Sequence, residues 1–235
     1  MLSRLIAAVL FCSFGLEVAF AAPSRVIILR HGEKEDAWQL CGIGQERAAA
    51  LAANYLGRDS ADSLFAAGEG PAAFLAVTLH TLELAQPAAT TWSLPITLYS
   101  VLPQKDEDKD QALNRATQQA ASDLMSNPAW QGKTVVMAWE HKHIANAKLE
   151  RAFSDEKVTL RQLLKLDKLT NVPDWPSGNY DYFWIVDFAK DSAMPTGFRM
   201  VKQEFSGTYA NLPSNDWGEP NGLTAKSKCD LKGAE

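Results

Sequence analysis

Val26-Ile27-Ile28-Leu29-Arg30-His31-Gly32-Glu33-Lys34 is the stretch that decides the fold. Its first four residues form an apolar, mostly β-branched run, which is typical of a strand covered on both faces in a parallel sheet. Arg30 and His31 follow at the carboxyl end of that strand, where open α/β sheets bind their ligands. The stretch therefore predicts a buried strand that presents a guanidinium and an imidazole to a ligand.

Strands and helices alternate along the rest of the chain. This alternation predicts an α/β fold, a three-layer sandwich with a mostly parallel central sheet flanked by helices. Two aromatic-rich segments near the carboxyl terminus predict an antiparallel edge hairpin. The predicted strands are 26–29, 63–67, 73–78, 96–101, 134–139, 180–188 and 197–205, and the predicted helices are 43–56, 79–91, 108–125, 144–153 and 160–166.

Length and charge limit the possible functions. The chain has 235 residues, of which 46% are hydrophobic, which suits one α/β domain, placed at 22–235. Its formal net charge of -5 gives no reason to expect nucleic acid or an anionic membrane as a partner. Any anion-binding site is therefore local, and oligomeric state is not readable from the sequence.

Residues 1–21 have the layout of a secretory signal peptide. Arg4 precedes an apolar run over 5–14 that is too short for a good membrane span, and small residues flank a cleavage point near Ala21. The alternative is a buried first helix. Signal removal predicts a periplasmic or secreted protein without stable membrane association, whose remaining cysteines, Cys41 and Cys229, are candidates for a disulfide.

The residue types after the first strand suit phosphate chemistry. The planar fork of Arg30 matches phosphate oxygens, and Gly32 lets the backbone approach closely. A neutral imidazole at His31 can attack phosphorus, because phosphoryl transfer needs mainly alignment and positive charge. An Arg-His pair by itself is equally compatible with a surface cation and a loop histidine.

The residues around Arg30 and His31 resemble those of a known family. The opening stretch, followed by Gly44-Gln45-Glu46-Arg47-Ala48 and Ala50-Leu51-Ala52, closely resembles the start of the histidine phosphatase superfamily, the phosphoglycerate mutase-like group. The resemblance implies a phosphatase that hydrolyses phosphomonoesters of small molecules through a phosphohistidine on His31, without a metal or another cofactor.

The resemblance also implies a second histidine at the end of a later apolar strand. His141 follows such a strand, 134–139, and is expected to donate a hydrogen bond to the phosphate. His143 is a rival for this role. His141 and His143 can alternatively be interpreted as metal ligands of a metalloenzyme, although no further ligand at matching spacing accompanies them.

A departure from the family pattern occurs at His80. The resemblance implies a second phosphate-binding arginine there, and a histidine is only partly charged at neutral pH. The sequence leaves open an enzyme suited to mildly acidic surroundings, a weak enzyme, or another cation such as Lys105. A degenerate, non-catalytic phosphate-binding protein of the same fold is the alternative function.

The general acid is not evident from the sequence. Asp106, Glu107 and Asp108 are candidates, although a mixed charge run before a helix is usually a solvated loop. Glu33 is expected to bind substrate only indirectly, by orienting the loop or Arg30. Supporting roles are expected for Lys34 and Arg47, and core packing is expected for the aromatic residues Trp175, Tyr180, Tyr182, Phe183 and Trp184.

Overall fold

One six-stranded sheet organises the chain in this computed structural model, which describes residues 22–36, 38–190, 192–218 and 229. The predicted signal peptide, residues 1–21, lies outside the described residues. In spatial order the strands are β3 (Ile96–Leu98), β2 (Pro71–Ala76), β4 (Thr134–Trp139), β1 (Arg25–Arg30), β5 (Tyr182–Phe188) and β6 (Pro195–Lys202).

The directions of the strands confirm the predicted fold class. β1 is parallel to β4, β4 to β2, and β2 to β3. β5 is antiparallel to β1, and β6 is antiparallel to β5. The predicted edge hairpin is therefore β5 with β6. Because of these directions, the carboxyl ends of β1 to β4 and the amino end of β5 meet at one edge of the sheet, which is where ligands bind in open α/β folds.

Helices cover both faces of the sheet. Along β1, Val26 and Ile28 pack against the face covered by α3 (Lys109–Ser126), and Ile27 and Leu29 pack against the opposite face. Each fully buried aliphatic side chain of this kind contributes about 1.5–3 kcal/mol. The opposite face is covered by α1 (Gly42–Leu51), continued by a π-helical turn (Ala52–Leu56), and by α2 (Leu79–Thr91).

Short helices complete the layers. They are α4 (His141–Ile144), α5 (Ala147–Ala152), α6 (Leu160–Leu163) and single 3-10 turns at Pro128–Trp130, Leu166–Lys168 and Gly207–Tyr209. None of the described helices is long and apolar enough to cross a membrane.

Three predicted elements differ from the structure. The helix predicted over 144–153 is divided, because Ala145 takes an extended backbone and the Asn146 side chain accepts a hydrogen bond from the Leu149 N–H and so begins α5. The strand predicted over 96–101 ends at Leu98, and the segment 63–67 forms turns rather than a strand.

A disulfide joins Cys41 to Cys229, which are 188 residues apart in the chain. Cys41 directly precedes α1, so the bond holds Cys229 beside the loop that leaves β1. The pairing considered from the sequence is therefore formed in the structure.

Candidate active site

His31 lies at the carboxyl edge of the sheet, directly after β1. Its backbone N–H donates to the Trp139 carbonyl at 3.0 Å, which continues the pairing of β1 with β4 by one residue. The side chain has no exposed surface. The ring centroids of His80, His141 and Tyr180 lie 5.1, 5.7 and 5.8 Å from that of His31, so three aromatic rings surround it.

The two ring nitrogens of His31 have different partners. Nδ1 lies 2.7 Å from the Gly32 carbonyl oxygen, which only accepts, so this nitrogen carries the proton. Burial, followed by the charge of Arg30, lowers the pKa of His31 well below that of a free imidazole. The ring is therefore neutral at neutral pH, and the lone pair is on Nε2, the nitrogen that faces the site.

Arg30 is held beside His31 by backbone carbonyls and an aromatic ring. Its Nη1 donates to the carbonyls of Pro176, Ser177 and Asn179 at 3.2, 2.5 and 3.1 Å. The guanidinium carbon lies 3.9 Å from the centroid of the Tyr180 ring, within cation–π range. Nε lies 3.4 Å from His31 Nε2, so the charge is fixed next to the reactive nitrogen.

Glu140 places a carboxylate in the middle of the site. One oxygen accepts a hydrogen bond from His80 Nε2, and the other lies 3.5 Å from His31 Nε2. Lys34 Nζ lies 3.5 Å from both Glu140 and His80. Burial alone raises the pKa of Glu140, but the hydrogen bond from His80 and the nearby His31 and Lys34 outweigh it and hold this pKa well below its usual range. Glu140 is therefore ionised in the free site.

His141 and His143 face different neighbours. His141 is beside His31, and among the described residues its buried Nδ1 has no hydrogen-bond partner. Burial, followed by the charge of Arg30, lowers its pKa to about 3. His143 points to α3, where its Nε2 lies 3.0 Å from the Asn114 side-chain oxygen. Of the two, the structure brings His141 into the site.

A buried ion-pair network supports the loop after β1. Arg47 contacts Glu33 at 2.7 Å and Asp181 at 2.8 Å, and all three side chains are nearly inaccessible. Glu33 thus orients the loop through Arg47 rather than through Arg30. A Cβ on Gly44 would lie 2.2 Å from the Glu33 carbonyl oxygen, so only glycine lets α1 approach this closely. Arg47 acts as the predicted support.

Four other residues were selected from the sequence, namely Gly32, Asp106, Glu107 and Asp108. A Cβ on Gly32 would meet Leu40 and Leu84 at 3.3 and 3.2 Å, so this glycine allows the loop to pack on its neighbours. Asp108 caps α3 by accepting from Gln111 N, Glu107 pairs with Arg115, and Asp106 is exposed in the preceding turn. Within the described chain, no contact joins these three carboxylates to the histidines of the site.

Three site residues have roles in the structure that the sequence did not assign to them. Lys34, and not the exposed Lys105, is the cation beside His80. Tyr180 is in contact with Arg30, whereas Trp175, Phe183 and Trp184 are buried as predicted and Tyr182 packs on Trp217. Glu140 could have been found, because it directly follows the apolar strand that ends at Trp139.

One group among the described residues has the arrangement of a metal site. Donor atoms of His31, His80 and Glu140 all lie within 4.8 Å of one another. His141 and His143, the pair considered from the sequence, are not part of it. Arg30 and Lys34 approach this group, and their positive charges oppose a divalent cation and favour an anion.

The chain is similar to solved structures that are named as phosphatases. No protein-family model and no curated protein matches the chain. A mycobacterial glucosyl-3-phosphoglycerate phosphatase in complex with inorganic phosphate is 15% identical, with a TM-score of 0.44, and the match covers 77% of this chain and 96% of that one. A protein from Escherichia coli named as an alpha-ribazole-5'-P phosphatase is 12% identical, with a TM-score of 0.46 over 79% and 99% of the two chains.

A third similar structure, from Agrobacterium tumefaciens, is named as the phosphohistidine phosphatase SixA. It is 14% identical, with a TM-score of 0.32, and the match covers 70% of this chain and 92% of that one. These names agree with the resemblance to histidine phosphatases found in the sequence. At TM-scores below 0.5 they carry no argument for function, which rests on the site.

Proposed function

We propose that the protein is a metal-independent phosphatase that hydrolyses phosphomonoesters through a phosphohistidine on His31. The observation that carries this proposal is the state of His31. Its Nδ1 proton is held by the Gly32 carbonyl, its pKa is lowered by burial and Arg30, and its Nε2 lone pair faces Arg30, Glu140 and His141. A neutral nucleophile within a cationic pocket is the arrangement that phosphoryl transfer needs.

In the first step, Nε2 of His31 attacks phosphorus and the bond from phosphorus to the ester oxygen breaks. Arg30, Lys34 and His80 offset the charge of the phosphoryl oxygens, and His141 donates a hydrogen bond to one of them. The leaving oxygen needs a proton, and Glu140 is the carboxyl group nearest to His31. On binding, the phosphoryl oxygens replace Glu140 in its contacts with His80 and Lys34, which removes the interactions that lower the pKa of this carboxyl. Glu140 then accepts the proton that the substrate monoanion carries, since the second pKa of a phosphate monoester is about 6.

In the second step, water attacks the phosphohistidine. Glu140, now a carboxylate, accepts one proton of this water as the remaining hydroxide bonds to phosphorus. The imidazole leaves as the neutral ring with Nδ1 still protonated, and the product is hydrogen phosphate. Glu140 then passes this proton to the departing hydrogen phosphate, which leaves as dihydrogen phosphate, and the carboxylate of the free site is restored.

The alternative is a non-catalytic phosphate-binding protein. The observation that favours it is the Glu140 carboxylate, which occupies the cationic pocket and contacts His31, a side chain with no exposed surface. For substrate to reach Nε2, Glu140 and its neighbours must move apart. In the non-catalytic function, an anion binds in the pocket while Glu140 stays in contact with His31.

The test is phosphate release from p-nitrophenyl phosphate by the mature chain in EDTA, next to His31→Ala. We expect turnover by the wild type alone, together with an acid-labile, base-stable phosphoryl label at His31. Equal inactivity of both proteins contradicts the enzymatic proposal, and activity that returns only with added metal contradicts metal independence. Phosphate binding without turnover, measured by calorimetry, supports the alternative.

We further propose export to the periplasm or beyond. The disulfide between Cys41 and Cys229 supports this location, because such bonds persist in oxidising compartments. The test is fractionation of cells that express the full chain. Retention of residues 1–21 in a cytoplasmic product contradicts it.

A further inference from the structure

A cavity opens beside the candidate active site. It has a volume of about 430 Å³, within the range of about 300–1,000 Å³ typical of small-molecule sites. Its walls come from the segment that joins β2 to α2 and from the loop after β3, with contributions from Trp38 and Lys109. The loop after β3 is the segment predicted from the sequence to continue the strand.

The walls of this cavity hold nearly all the exposed large apolar side chains of the described residues. Trp38, Leu79, Leu98 and Leu102 are 65%, 49%, 40% and 73% exposed, and all four line the cavity. Met194, at 44%, is the exposed large apolar side chain away from it. Scattered apolar side chains need no explanation, but a contiguous exposed group of them marks a site of interaction.

The position of the cavity connects it to the chemistry of His31. Thr78 lines the cavity, and its hydroxyl lies 2.9 Å from His80 Nε2. His80 in turn lies 5.1 Å from His31 between ring centroids. Because β2 and β3 are parallel to β4 and β1, their carboxyl ends place the cavity at the same edge of the sheet as His31 and Glu140.

We propose that this cavity binds the apolar alcohol part of the substrate, so that the protein acts on phosphomonoesters of hydrophobic alcohols. This inference rests on the function proposed above and specifies its substrate class. The phosphoryl group sits among Arg30, His80 and His141, and the organic chain extends past Thr78 over Leu79, Leu98 and Leu102. The alcohol released when the ester bond breaks then leaves through this cavity.

The test is a series of n-alkyl phosphates from ethyl to octyl, with glycerol phosphate as the polar comparison and released phosphate as the readout. We expect kcat/KM to rise about fourfold for each added methylene until the cavity is full, from the free energy of burying one methylene. Leu98→Ser/Leu102→Ser is expected to reduce the preference for octyl over butyl phosphate about tenfold. Both leucines are exposed, so these substitutions spare the core.

The matched control is Met194→Ser, which removes an equally exposed apolar side chain away from the cavity and should leave the series unchanged. Activity that is independent of chain length in an active wild type overturns the cavity inference and leaves the phosphatase proposal standing. If the wild type hydrolyses none of the esters, the phosphatase proposal fails. Calorimetry with octylphosphonate and methylphosphonate then decides the cavity: preference for the octyl compound supports it, and equal affinity or no binding overturns it.

Discussion

Glu140 is the residue on which the proposed chemistry depends most. Its carboxylate contacts His80 and His31, and no other described carboxylate has a contact with these two histidines. The acidic run at Asp106, Glu107 and Asp108, which the sequence offered instead, precedes α3, where Glu107 pairs with Arg115 and Asp108 accepts from Gln111 N. We therefore propose the acid–base role for Glu140, at the end of β4.

Glu140→Gln should slow reactions in which the leaving group needs a proton. We expect kcat for butyl phosphate to fall about 100-fold or more, the usual contribution of general acid catalysis. The loss for p-nitrophenyl phosphate should be much smaller, because nitrophenolate leaves without protonation. Glu107→Gln is the control and should change neither rate. An equal loss for both substrates in Glu140→Gln would contradict the role.

The protonation state of the substrate should set the pH range of activity. In the wild type, kcat/KM should fall as pH rises above about 6, because the substrate monoanion that brings the proton is lost. It should persist below this pH, because the lowered pKa keeps His31 neutral. His80→Arg supplies a permanent charge beside the phosphate and should lower KM without moving the pH at which kcat/KM falls. An unchanged KM in this variant would show that His80 does not face the phosphate.

The sequence located His31 and His141 because each follows an apolar strand, and strand ends are set by hydrophobic runs. Glu140, Lys34 and Tyr180 were not assigned to the site. Their positions depend on where side chains point after the chain leaves a strand, and hydrophobic patterning carries no information about this direction. Spacing along the chain also gave no reason to pair Lys34 with His80.

The loop between β1 and α1 is connected by ion pairs to the other elements around the site. Arg47 on α1 pairs with Glu33 in this loop and with Asp181, the residue before β5. Burial alone lowers the pKa of Arg47 and raises that of Asp181, but the two carboxylates raise the pKa of Arg47 overall. One guanidinium thus connects three elements whose ends meet at the same edge of the sheet.

Arg47→Met should leave two carboxylates buried without a counter-charge. We expect a loss of about 3–5 kcal/mol in the free energy of unfolding at neutral pH, from denaturant titration. The loss should be smaller in mild acid, where protonation removes the uncompensated charge. Arg151→Met, at an exposed position, is the matched control and should cost little. An effect no larger than that of the control would show that the network is not stabilising.

The bounds of a helix or strand were predicted well where both of its faces are buried. The strand over 134–139 has the predicted bounds, because all six residues are apolar or inward-facing. The helix predicted over 144–153 is divided at Asn146, since a side-chain cap competes with helix continuation and the apolar spacing does not register it. The loop after β3 was predicted as strand from its apolar residues, but these line a cavity, and Tyr99 and Val101 also pack on the core beyond the end of β3.

At the scale of the whole molecule, the disulfide joins Cys41, which precedes α1, to Cys229, the last described residue. Cys41→Ser/Cys229→Ser should lower the free energy of unfolding by about 2–5 kcal/mol, because it frees a loop closed over a separation of 188 residues. Denaturant titration with and without reductant measures this. Reductant should destabilise the wild type and leave the variant unaffected. If reductant has no effect on the wild type, the bond does not contribute.

The Glu140 carboxylate among His80, Lys34 and His31 is a counter-anion that the chain itself supplies to the site. In the proposed mechanism, an incoming anion therefore has to bring a proton that neutralises this carboxylate. A phosphate monoester at mildly acidic pH can do so, because its second pKa is about 6. Sulfate has the same tetrahedral shape, but it is a dianion with no proton to give. The proposed mechanism thus selects a ligand by its protonation state, and we expect a phosphate ester to bind better than sulfate without any difference in size or geometry.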